Sequence, residues 1–293
     1  MIGRKKRDLV VEGFIYLAAI LTTVIVAGIF FFLFKDGLPL FGEVSFKEFF
    51  TSPYWYPTYE DAEYGIFALL IGTLSVTGLT ILFSIPLAFA SSIFLAIFSD
   101  KSRNFIKSIV ELMAGLPSVV LGAFALKYIS KWIIENIPSA WTGLNIFNAS
   151  LVLSLLSLPY FITLMEDAIR AVPKTQIEGS LSLGVSWTST IFRVVIPQAK
   201  SGIFNAMILG INRIIGETMI VLMVAGGAAM VPSGIFDPVR PLTATIAGEM
   251  GETELGSTHY FALFMIGVIL LLFSTCFTLI ASKLKGSGKI DKR

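Results

Sequence analysis

Arg213, Glu217, Asn212 and Thr218 carry charge and hydrogen-bonding groups into an otherwise apolar run, about 201–225, and are the residues best placed for chemistry. A planar guanidinium gives an oxyanion a bidentate, charge-assisted contact, and amide and hydroxyl groups supply donors that replace its water. Arg213 lies 13 residues beyond Lys200, about 19 Å along a helix, too deep for its side chain to reach the nearer water layer. A cation at that depth must face protein or a water-filled route. Glu217, one helical turn further on the same face, is positioned to neutralise it. The expected chemistry is an anion-contacting arginine held and tuned by a carboxylate; a structural ion pair inside a helix bundle is the alternative.

Other reactive groups point to no catalysis. Glu111 stands one turn from Lys107 and reads as a paired interfacial residue. His259 is the single histidine, with no cysteine beside it, and reads as packed or interfacial rather than as a metal ligand. Cys276, the single cysteine, falls in the last apolar run and is expected in the core. The tetrapeptide Gly286 to Lys289 has the letters of a phosphate loop without its spacing or preceding strand. No paired carboxylates or nucleophile and base occur at suggestive spacing. Any ATP-driven step therefore needs another polypeptide, and a net charge of +2 gives no footprint for nucleic acid.

The elements that must position these groups are membrane helices. Of 293 residues 55% are hydrophobic and 14% charged, against about 25% charged in soluble domains. An all-α integral membrane protein follows, with six transmembrane helices expected at about 10–34, 65–98, 108–126, 147–165, 201–225 and 260–281. The uncharged run 65–98 is too short for two crossings and a turn, so it reads as one long crossing, tilted or bent near Pro86. Pro117 is expected to open a hydrogen bond in mid-span, and the segment from Lys127 to Asn145 to lie at the interface. Arg4 to Arg7 before a long first run indicate a retained helix rather than a cleaved signal.

Counting loops alternately, one side holds sixteen basic residues and the other five, which places both termini in the cytoplasm. The chain then divides into an N-terminal membrane helix and extracytoplasmic loop (1–64), a core (65–281) with a cytoplasmic loop at 166–200, and a basic tail (282–293).

Within that loop, Glu178 to Pro197 is moderately polar. Gly184 permits a tight turn, Trp187, Ile191 and Val194 or Val195 share one side of a short helix, and Pro197 marks a break before the next crossing. Such a helix fits a groove on a partner; lying flat on the bilayer is the other reading.

The sequence EGSLSLG from Glu178 to Gly184, followed by Pro197, resembles the EAA loop of ABC importer permeases, with Gly179 and Ser180 where alanines are commonest. The chain is most similar to the phosphate-specific transport permeases of C type, through AGLPSVVLG (114–122), LPYFITLMEDAIRAVP (158–173) and RIIGETM (213–219). The resemblance covers about 60–281. It implies a type I ABC importer permease fold in the inner or plasma membrane and a heterodimer with an A-type phosphate permease subunit. It also implies two copies of a cytoplasmic ATPase that carry the ATP and magnesium, and an extracytoplasmic phosphate-binding protein. This chain would bind no cofactor itself. Glu178, Gly184, Trp187 and Pro197 would then couple to the ATPase, and Arg213, Glu217, Asn212 and Thr218 would line the translocation region. Another oxyanion such as sulfate or molybdate is the nearest alternative cargo, and an ATP-independent channel or scaffold a more distant one.

Overall fold

The computed structural model describes residues 2–97 and 100–286, so the end of the basic tail and most of the phosphate-loop-like tetrapeptide lie outside the described residues. Five helices are long and apolar enough to cross a membrane, and six if one sharply bent pair counts as a single span. The spans are α1 (Ile2–Gly37), α3 (Phe67–Ile97), α7 (Ile146–Arg170), a rod from Trp187 to Ile215, α13 (Thr258–Gly286), and the bent pair. The rod consists of α9 (Trp187–Thr190), a π turn and α10 (Ile196–Ile215). α3 passes unbroken through Pro86, which gives the run 65–98 its single crossing.

α7 is the central post. Its most extensive contact is with α3, and it also packs on α10. A Cβ on Gly210 of α10 would come 1.9 Å from the Phe161 ring of α7, so only glycine lets these helices approach so closely. Small hydroxyls fill the α3–α7 seam: the buried Ser150 donates to the Val76 carbonyl at 3.1 Å. α1 lies at the edge, its last turns against the first turns of α13 and its apolar side chains largely exposed, as suits a helix facing lipid.

The third crossing differs from the expected one. α4 (Asp100–Ala114) is an amphipathic helix, and Pro117, extended at ψ 134°, ends the chain's turn into α5 (Ser118–Phe124). A π turn continues α5 into α6 (Ser130–Asn136), and the limb from Ser118 leaves the direction of α4 by 87°. Pro117 thus starts a helix rather than interrupting one, because a proline disfavours the helical conformation of the residue before it. Residues 127–136 continue the helix that begins at Ser118.

The expected break at Pro197 is also absent. The π turn Ile191–Val195 precedes it, and Ile196 N–H donates to the Ile191 carbonyl five residues back. The widened turn accommodates a residue with no N–H, so the rod continues. Cys276 is exposed on α13 rather than in the core.

Residues 38–66 fold into a cap on one end of the bundle. A 3-10 turn (Leu38–Gly42), α2 (Phe46–Thr51) and the hairpin of β1 (Trp55–Tyr56) with β2 (Glu63–Tyr64) bury Leu40, Phe49, Trp55 and Ile66. This second hydrophobic cluster closes over Leu242 of α12 (Leu242–Glu249) and Ala262, Leu263 and Ile266 of α13. At the opposite end lies α8 (Lys174–Ser182), with no buried residue.

Candidate functional site

Arg213 sits in the last turn of α10, where a cation complements the helix dipole. Its guanidinium carbon lies 5.4 Å from the centroid of the Tyr160 ring on α7. Tyr160 is ten residues from the end of α7 at Arg170 and fourteen from its start at Ile146, about 15 and 21 Å along the helix axis. The arginine therefore stands near mid-height on the central post. Its side chain is exposed on the surface of this chain.

The helix stops just above it. α10 closes at Ile215, where Gly216 N–H donates to the Asn212 carbonyl, and α11 (Met219–Val224) begins after Thr218. Glu217 does not reach back to Arg213. Its Oε1 accepts from the backbone N–H of Met219 at 3.2 Å and Ile220 at 3.5 Å, capping α11, and its carbonyl accepts from the Thr243 hydroxyl at 2.8 Å. Among the described residues no ion pair joins the two, because the break at Gly216 removes the regular helix on which the one-turn spacing relied. Asn212, Arg213, Glu217 and Thr218 still cluster at one broken turn, with the Thr218 hydroxyl donating to the Gly216 carbonyl at 3.3 Å. Beside it, α11 packs on α5 where Met223 approaches Gly122, so the AGLPSVVLG segment borders the same region.

At the α8 end, Glu178 lies on α8 and Gly184 in the turn that follows, at φ +77°, a conformation that strongly favours glycine. Trp187 opens the rod and Pro197 lies within it. The Ser180 and Thr190 hydroxyls, 2.9 Å apart, tie α8 to the rod. Leu183, Trp187 and Phe192 are exposed, so this end presents apolar side chains without cover from its own chain. Residues 187–197 are thus the start of the rod rather than a separate short helix, and α8 with its turn stands apart from it.

At the capped end, sequence reasoning missed a constellation around Glu249. Its carboxylate accepts from Trp55 Nε1 at 3.0 Å, contacts His259 Nε2 at 2.9 Å and pairs with Arg240. Burial pushes the Glu249 carboxyl up, but the hydrogen bonds of His259 and Trp55 and the charge of Arg240 outweigh it and hold the group below the usual carboxylate range. These side chains border an open cleft of about 640 Å³, also lined by Tyr56, Tyr59 and Glu252. The lone histidine was the available signal; its partners, up to 204 residues away in sequence, were not legible. Among the described residues no set of three His, Cys, Asp or Glu is placed to hold a metal.

The chain has relatives among known proteins. Residues 88–285 match the family described as binding-protein-dependent transport system inner membrane component. The probable ABC transporter permease YqgH of Bacillus subtilis is 34% identical over 262 residues, covering 88% of this chain and 84% of that protein. The phosphate transport system permease PstC of Haemophilus influenzae is 27% identical, covering 92% and 87%. The fold is similar to a chain of a bacterial alginate ABC transporter solved with an alginate-bound periplasmic protein, with a TM-score of 0.59, 15% identity and coverage of 90% and 92%.

Proposed function

This chain belongs to the family of binding-protein-dependent transport permeases, and from that premise we propose that it is the C-type membrane subunit of an importer that moves inorganic phosphate into the cytoplasm. A member of this family is a transport component rather than a catalyst. The observation that carries the anion reading is Arg213, exposed at mid-height beside Tyr160 with no carboxylate partner among the described residues. In a bilayer such a cation needs a protein or aqueous neighbour, and an oxyanion in transit together with a second permease subunit supplies one. Several relatives named as phosphate transport permeases support phosphate as the cargo.

The working cycle follows from the two ends. The surplus of basic residues assigns the α8 end to the cytoplasm, where Glu178, the Gly184 turn and exposed Trp187 dock on a separate ATPase; Pro197 shapes the rod behind them. The capped end receives phosphate from an extracytoplasmic binding protein. Closure of two ATPase copies, which hold ATP and magnesium, displaces α8, and the broken turn at 216–218 and the bend at Pro117 let the passage open alternately to either side. Arg213, Asn212 and Thr218 contact the anion; Glu217 orders the turn that holds them.

Purification with co-expressed partners and uptake of labelled phosphate into vesicles tests this reading. ATP-dependent accumulation that excess sulfate and molybdate do not suppress is expected. Uptake independent of ATP would place the chain among channels, and competition by sulfate or molybdate would change the cargo.

A further inference from the structure

On the importer reading above, we propose that Glu166 is a positioning residue, the centre of a charged clasp that makes α4 and the coupling helix α8 move as one body.

Glu166 is 1% exposed near the end of α7. A carboxylate so deeply buried persists only with good partners. Arg170, one turn on, donates Nε to Glu166 Oε1 at 2.8 Å, and Lys107 of α4 brings Nζ to 3.7 Å from Oε2. Arg170 Nη2 also donates to the Leu95 carbonyl, at 3.0 Å, in the last turn of α3, where helix carbonyls lack partners of their own. One carboxylate and one guanidinium thus join three helices.

The clasp sits between the two segments that have to move. α8 begins four residues after Arg170, beyond an extended Pro173. α4 is three residues from α5, the limb that leaves it at 87° and borders the broken turn above Arg213. Apolar contacts alone would let α4 slide along α7, because they are not directional. The ion pair from Lys107 to a carboxylate held in place by Arg170 opposes that sliding, so displacement of α8 carries α4 and swings α5. Glu166 is six residues from Tyr160, about 9 Å along α7, and so acts at a distance from the cargo.

The test uses the complete complex with its co-expressed partners and with Cys276→Ser. Spin labels go on Ser108→Cys of α4 and Ser182→Cys of α8, both exposed. Their separation is measured without nucleotide and with ATP bound, beside ATP hydrolysis and uptake of labelled phosphate. The intact clasp predicts one narrow separation, the same in both states. Glu166→Gln should broaden it and lower phosphate taken up per ATP hydrolysed by about tenfold while hydrolysis continues. Glu166→Asp, which keeps the charge, should recover part of both. Lys107→Gln, altering a part-exposed partner, serves as a milder variant and should broaden the separation less. A narrow separation and unchanged uptake per ATP in both Gln variants, or hydrolysis and uptake falling in proportion, would overturn the clasp. If the unaltered complex hydrolyses ATP but takes up no phosphate, the cargo assignment falls and the clasp does not, since the label separation is read without cargo.

Discussion

Glu217 and Arg213 part company at a single glycine, and their substitutions should differ accordingly. Because Glu217 caps α11 through one carboxylate oxygen, Glu217→Gln retains an acceptor whereas Glu217→Ala leaves the Met219 and Ile220 N–H groups open. Thermal unfolding of the solubilised complex should show Gln close to the natural residue and Ala destabilised by about 1 kcal/mol. Equal losses would show that Glu217's charge, rather than its cap, holds the turn. The sequence singled out this residue by its type and depth. The pairing with Arg213 was not legible, because one-turn spacing brings side chains together only while the helix continues, and α10 ends between them. Arg213 was legible for the opposite reason: its distance from Lys200 along an unbroken rod already fixed its height.

At the scale of elements, two glycines make separate predictions. Gly184 has open space around a Cβ but sits at φ +77°, so Gly184→Leu strains the turn by about 1–2 kcal/mol without a clash. It should leave the helices packed and reduce phosphate uptake per ATP hydrolysed; unchanged transport would count against α8 as the docking element. Gly210 has the reverse character, with helical backbone and no room beside Phe161. Gly210→Val should separate α7 from α10 at a cost of about 1–3 kcal/mol, read as loss of assembled complex. Apolar run length revealed most of the crossings, and the absence of charge from 65–98 gave one long α3. The bent third crossing was hidden because an amphipathic α4 adjoining an apolar α5 sums to one plausible span; only Pro117's extended conformation shows where the direction changes. The rod through Pro197 was hidden too, since a π turn carries no composition of its own.

On the scale of the molecule, the cap and the clasp hold opposite ends of one bundle. The cap is fastened through Glu249, faced by Trp55, Arg240 and His259 and near Glu252 in the same cleft. A carboxyl held below its ordinary range contributes stability that is complete above that range and is lost as pH falls through the depressed value. Proteolysis of the exposed loop at Glu60 and Asp61 should therefore accelerate as the medium is acidified through that interval, and Glu249→Gln should flatten the dependence. Pairings across such sequence distances carry no local pattern, which is why the cap's order was not legible.

The central claim is that an exposed arginine at mid-height meets the anion as it crosses. The most direct measurement is ATP-dependent accumulation of labelled phosphate in vesicles holding the co-purified complex, comparing the natural chain with Arg213→Gln. The account predicts accumulation by the natural complex and none by the variant, with the subunits still assembled and ATP still hydrolysed. Accumulation by Arg213→Gln at the natural rate would contradict it.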